Sequence, residues 1–207
     1  MNSLVKTAIA IASAATFLSA NALVLGVTEG VTYRSSDAEI EAKFAPIAKA
    51  LSAATKQPVK IQVINSYSGL REALKQGQLD AAFIHPAHVS FEAIKSGAYK
   101  SVAWTTGFTD YKVSFLCNEP QAISSWAALN GKGMVTPDAD SITSVMTRAL
   151  LRENKVDTKT VNVQVTRFQD AVPFYVENKF ASYGATASSA VIKSWKDKGG
   201  KTCAQSR

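Results

Sequence analysis

The chain has 207 residues, 46% of them hydrophobic and 19% charged, which is enough apolar material for one or two folded domains and excludes a disordered, collagenous or coiled-coil protein. Lysine and arginine exceed aspartate and glutamate by 23 to 16, a net charge of +7 spread along the chain rather than gathered in a nucleic-acid-binding tract. Two cysteines and two histidines are too few for a disulfide scaffold or a zinc signature.

The first segment sets the compartment. Lys6 precedes an apolar run from Ala8 to Leu18, and Ala20-Asn21-Ala22 supplies the small-x-small pattern of a cleavage site. This is the layout of a secretory signal peptide over residues 1–22, and the run is too short and Ala-rich for a membrane anchor. Export with cleavage after Ala22 is expected, and no cysteine near that point is available for a lipid. Leu23–Val27 then reads as the first strand. Ser36 opens a helix, with Glu39 completing a capping box and Ile40, Phe44, Ile47 and Leu51 at helical spacing; Pro46 is expected to kink or divide it. Val59–Ile64 alternates as a strand, Ser68–Lys75 is a helix stopped by Gly77, and Leu79–Ile84 is a buried strand. Pro86 starts a helix to about Lys95, and strands are expected at Ser101–Thr105 and Lys112–Cys117.

The second half repeats the alternation. It runs through a short helix at Ser124–Leu129, a strand at Gly133–Thr136, a helix at Ser141–Glu153 and a strand at Val161–Val165. A helix follows at Gln169–Asn178, then a strand at Phe180–Gly184, a helix at Ser188–Lys198 and an extended piece at Lys201–Ala204. Alternation of this kind predicts an α/β protein with parallel sheets covered by helices. Asn118-Glu119-Pro120 breaks the chain, which divides it into one lobe over 23–116, a second over 117–200, and a strand over 201–207 returning toward the first lobe.

Five segments in order carry a resemblance: Leu25-Gly26-Val27-Thr28 with the helix around Phe44–Ala48; Tyr67 to Phe83; Tyr111-Lys112-Val113-Ser114-Phe115; Pro137 to Ser144 leading into Arg148–Leu151; and Ala171 to Thr186. Together they resemble the substrate-binding proteins of phosphate, phosphite and phosphonate ABC transporters. The resemblance implies a two-lobed type II periplasmic-binding fold, shortened or incomplete at its C-terminus, with a small oxyanion in the cleft. It also implies a permease as partner, a monomer, and neither cofactor nor nucleic acid. One departure stands out. Where the family has a Ser-Thr-Ser-Gly-like run, this chain reads Asp138-Ala139-Asp140-Ser141-Ile142-Thr143-Ser144. If these aspartates face the cleft without a cation, a cationic or zwitterionic solute becomes the better ligand.

The candidate binding residues are Thr28, Tyr67, Ser68, His85, Tyr111, Ser141, Thr143 and Gln169. Ser141 and Thr143 open a helix whose free N–H groups favour an anion, although plain capping uses the same geometry. Tyr67 and Tyr111 suit a cleft, or equally a packed aromatic position. His85 ends a buried strand and is a candidate donor; His88 needs no function, and the pair lacks further metal ligands. Thr28 is a further donor, and Glu29 would repel an anion unless paired with Arg34. No nucleophile motif occurs, and Asp138 and Asp140 read as caps before they read as an acid–base pair. Cys117 and Cys203 fall on strands that the two-lobe fold makes neighbours, and in an oxidising compartment a disulfide between them is expected, the alternative being two buried thiols. Two other readings are a ligand-presenting partner of a membrane sensor, and a periplasmic enzyme using His85 with Asp138 or Asp140.

Overall fold

The computed structural model describes residues 22–30, 34–107, 111–118, 123 and 125–205. The expected signal peptide therefore lies outside the described residues, apart from Ala22, as do Glu119 and Pro120 of the expected break, Ser124 and the last two positions.

Two sheets organise the chain. The first holds β1 (Leu23–Thr28), β2 (Val59–Val63) and β3 (Ala81–Ile84) in the order β2-β1-β3, all parallel. Helices α1 (Asp37–Thr55), α2 (Tyr67–Lys75) and α3 (Phe91–Lys95) accompany it. Leu25, Val27, Ile40, Phe44 and Ala48 form one core between β1 and α1. Tyr67, Leu70, Ala73, Leu74, Leu79 and Val89 form a second beneath α2. The expected capping box is present: Ser36 Oγ accepts from the Glu39 amide, and the Glu39 carboxylate accepts from the Ser36 amide at 2.8 Å.

The second sheet has the order β6-β5-β7-β4-β8, built from β4 (Ser114–Cys117), β5 (Gly133–Thr136), β6 (Asn162–Val165), β7 (Tyr183–Thr186) and β8 (Lys201–Gln205). Strands β5, β6 and β7 are parallel, whereas β4 runs antiparallel to both β7 and β8. Helix α4 (Ile142–Glu153) covers a core of Val113, Phe115, Leu129, Met134, Leu151, Val156, Val161 and Ala185. Helices α5 (Val172–Glu177) and α6 (Ser189–Asp197) lie with the other core, of Leu116, Val135, Val172, Val176, Ala181 and Trp195. Gly184 lets α5 approach: a Cβ there would sit 2.6 Å from Val172 Cγ1 and 2.8 Å from Val176 Cγ2.

Several expectations change. Pro46 leaves α1 as one helix of 19 residues; the position is exposed, so water serves the carbonyl that the missing N–H leaves unpaired. Residues 101–105 form no strand. They are exposed, with Val102 at 95% and Trp104 at 67%, and among the described residues no strand lies beyond β3 to pair with them. The helices expected from Pro86 and Gln169 each begin as a 3-10 turn, at Ala87–Ser90 and Gln169–Ala171. The strand expected at Phe180–Gly184 starts at Tyr183, because Phe180 and Ala181 donate their amides to Tyr175 O while closing α5, after left-handed Lys179. The whole of β4 belongs to the second sheet, so the boundary drawn at 116/117 falls inside it. Strand β8 pairs with β4 in that same sheet and not with the first.

Cys117 and Cys203 are joined in a disulfide, their Cα atoms 6.0 Å apart. Opposite them the register of β4 and β8 shifts between Phe115 and Leu116. The bond therefore ties two neighbouring strands of the second sheet and does not span the two sheets.

Candidate functional site in the cleft between the sheets

In sheets of parallel strands, the carboxyl ends of the strands open toward solvent and are where loops gather functional groups. Both sheets turn these ends toward one cleft. A pocket of about 100 Å³ lies there. Thr28 ends β1 and Gly30 follows it, and after β2 come Asn65, Ser66 and Tyr67. From the other sheet, Asp138 follows β5 and Arg167 follows β6.

Local chemistry sets each group in place. Ser66 is the N-cap of α2 and its Oγ accepts from the Gly69 amide at 3.1 Å, and Ser66 and Tyr67 at this helix start both line the pocket. Gly30 is left-handed (φ 84°), and a Cβ there would approach His85 Cδ2 at 3.0 Å and the Tyr67 hydroxyl at 3.1 Å. Glycine is thus required for turn and clearance alike. Tyr67 is 3% exposed; burial, reinforced by Asp138, Tyr111 and Asp140, pushes its hydroxyl far above the usual range and keeps it a neutral donor. Arg167 Nη2 donates to Asn65 O at 3.3 Å, so the pocket's cation is already tied to the opposite lobe. Arg34 and Arg167 both lie over the Phe168 ring, at 5.3 and 4.9 Å from its centre.

Further contacts cross the cleft. Arg71 Nη1 donates to Asp140 Oδ2 at 2.6 Å, and His88 Nε2 lies 2.8 Å from Asp140 O, to which it donates. Arg34 pairs with Asp170 at 3.3 Å, whereas the cation beside Glu29 is Lys43 and not Arg34. His88, to which no role was given, is a link between the lobes. Arg71, beside Asp140, holds that carboxyl below its ordinary value. A carboxyl depressed in the folded state adds stability above its unfolded pKa of about 4 and loses it as pH falls through the folded value. Asp140→Asn should therefore be less stable than wild type at neutral pH, with the difference shrinking as the pH falls below about 4, which flattens the acid limb of a stability–pH curve. Because Asp140 is partly exposed, the pair contributes about 1 kcal/mol or less. Acid titration of the melting temperature of both proteins checks this.

Of the eight expected binding residues, Thr28 and Tyr67 line the pocket. Tyr111 and Thr143 are outside its lining and meet each other, with their hydroxyl oxygens 3.3 Å apart. Ser141 caps α4, its Oγ accepting from the Ser144 amide at 3.2 Å and donating to Ser144 Oγ at 3.0 Å. Ser68 is exposed on α2 outside the lining, and His85 stands behind Gly30, where burial lowers its imidazole pKa. Gln169 is buried, and its Oε1 accepts from Thr186 Oγ1, Ala187 N and Ser188 N at 2.9, 2.7 and 3.0 Å. It holds the loop between β7 and α6. Gly30, Asn65, Ser66 and Arg167 were not foreseen as binding residues. The available signal was their position just past a parallel strand. Asp140, one partner offered to His85 in the enzyme reading, is engaged by Arg71. Among the described residues no three His, Cys, Asp or Glu side chains gather as metal ligands.

Two α/β lobes with a small polar pocket at the meeting of their strand ends define the class of two-lobed solute-binding proteins. Residues 30–203 match the family model described as ABC transporter, phosphonate, periplasmic substrate-binding protein, and the chain belongs to that family. It is a family of transporter binding proteins, not of enzymes, and it works in the periplasm. Comparison with curated protein sequences gives no match. Among solved structures, the chain is similar to PhnD1 from Prochlorococcus marinus (MIT 9301) in complex with methylphosphonate. The identity is 15% and the TM-score 0.66, over 89% of this chain and 72% of that one. A binding-protein component of a phosphonate ABC transporter from Pseudomonas aeruginosa is 17% identical, with TM-score 0.59, over 89% and 64% of the two chains. The periplasmic aliphatic sulphonate binding protein SsuA from Escherichia coli is 14% identical, with TM-score 0.56, over 89% and 60%. The chain thus spans between about three fifths and three quarters of the length of these structures.

Proposed function

We propose that the protein captures a small oxyanion of the phosphonate type between its lobes and delivers it, by hinge closure, to the permease of an ABC transporter. It does so as an exported monomer whose leader is removed after Ala22. The observation that carries this reading is the pocket itself, assembled from strand ends of both sheets around the N-terminus of α2 and the Arg167 guanidinium.

Helix N–H groups and a guanidinium replace the water around an oxyanion without needing a metal. The Ser66, Thr28 and Tyr67 hydroxyls add donors. Because the two lobes each supply part of the lining, ligand favours the closed form over the open one, and a permease can tell loaded from empty protein by that difference. Tyr111, which precedes β4, is tied to Thr143 at the start of α4, where Ser141 is the N-cap.

A ligand that binds only the folded protein stabilises it by about 2.7 kcal/mol at one hundred times its Kd. Thermal melts of ligand-stripped protein with phosphate, phosphite, methylphosphonate and sulfate should therefore separate effective from ineffective anions. Arg167→Ala should abolish most of the shift, and Tyr67→Phe should weaken binding by about tenfold if its hydroxyl donates to the anion. A folded, stripped protein whose melting temperature no oxyanion moves would refute the reading.

A further inference from the structure

The pocket holds a carboxylate as well as a cation. Asp138 is half-buried among its walls, and one of its oxygens, Oδ1, accepts from the Asp140 amide at 2.9 Å. Among the described residues no ion pair joins Asp138 to Arg167, and the second Asp138 oxygen accepts no hydrogen bond. The other acid of this loop is neutralised by Arg71. A single carboxylate therefore faces the same small space as the N-terminus of α2, and a carboxylate is an acceptor only. A bare oxyanion there would meet it oxygen against oxygen.

Resting on the oxyanion reading above, we propose that Asp138 is a specificity residue that admits only oxyanions carrying a hydrogen of their own to donate. The donor is either an acidic P–OH hydrogen or an ammonium group next to the oxyanion. In about 100 Å³ there is room for one oxyanion group and a small substituent, which puts either donor close to Asp138. A phosphonate keeps an acidic hydrogen into the neutral range, whereas a sulfonate of the same shape has lost its only one. The carboxylate therefore selects phosphonates against sulfonates, although solved structures of both kinds of binding protein share this fold. Rejection works through an unmatched acceptor pair, which is a larger penalty than a missing contact.

The test is calorimetric titration of methylphosphonate, aminomethylphosphonate and methanesulfonate into wild-type protein and Asp138→Asn. The amide can still accept from the Asp140 N–H, so the loop keeps its hydrogen bond, and it can also donate to a bare oxygen. The wild type should bind methylphosphonate at least about tenfold tighter than methanesulfonate, and Asp138→Asn should shrink that ratio by about tenfold or more. An aminomethylphosphonate advantage that disappears in the variant assigns the donor to the ammonium group. Equal affinity for the two phosphonates assigns it to the P–OH. Equal affinity of the wild type for methylphosphonate and methanesulfonate, or a ratio unchanged in the variant, overturns the selectivity and leaves the oxyanion site standing. Binding of none of the three anions overturns both.

Discussion

Reduction of the Cys117–Cys203 disulfide is expected to destabilise the protein by about 4–5 kcal/mol, the chain-entropy value for a cross-link closing a loop of this length. The two cysteines are 86 residues apart, and that span contains α4, α5, α6 and strands β5 to β7 of the second sheet. The bond thus restricts nearly the whole second lobe in the unfolded chain. It also fastens β8, an edge strand whose other ties to the lobe include the Trp195 indole N–H donating to Lys201 O at 2.8 Å. For a chain of this size the loss corresponds to a drop in Tm of roughly 10–20 °C. Denaturant unfolding with and without reductant, and of the Cys117→Ala/Cys203→Ala double variant, checks it. A change under about 1 kcal/mol would mean that native-state effects cancel the entropic gain.

Gln169→Leu is expected to cost about 3 kcal/mol or more, while conserving side-chain volume. Gln169 is 1% exposed, and its oxygen is the common acceptor for the Thr186 hydroxyl and the Ala187 and Ser188 amides. A leucine would strand the Ala187 N–H and the Thr186 hydroxyl away from water, each worth about 1–3 kcal/mol unless the loop opens, and would leave the Ser188 N–H only its 3.2 Å bond to Thr186 Oγ1. The amide also hydrogen-bonds the Tyr111 hydroxyl. The variant should thus loosen both the loop before α6 and the Tyr111–Thr143 contact. Gln169→Glu keeps the acceptor and is expected to lose less. Equal stability of Gln169→Leu and wild type in urea unfolding would show that the loop is held by its backbone alone.

How much of this was readable in advance follows from where each signal resides. The Ser36–Glu39 box, the alternation of Val59 to Val63 and the Ser141 cap of α4 depend on neighbours within a few residues, and the structure has all three. The absent strand near Val102 and the late start of β7 depend on partners and on helix closure elsewhere in the chain. The allegiance of β4 and β8 likewise became visible only with strand order.

The site divides the same way. Thr28 and Tyr67 were legible because one ends a clear strand and the other follows one. Arg167 follows an equally clear strand, but one exposed arginine among 23 basic residues carries no local mark. Gln169 looked like a ligand donor because it is polar at a helix start; burial and three internal donors give it another task. The aspartates near the helix start weighed against a bare oxyanion. The Arg71 ion pair answers that objection for Asp140 and leaves it in force for Asp138.

The most direct measurement of the central claim is calorimetric titration of methylphosphonate into exported, ligand-stripped protein, alongside Arg167→Ala. The account predicts one site per chain in the wild type and at least about tenfold weaker binding in the variant, as loss of a charged hydrogen-bond donor requires. Saturable binding that Arg167→Ala leaves unchanged, or no binding of methylphosphonate or any other small oxyanion by the folded protein, would contradict it.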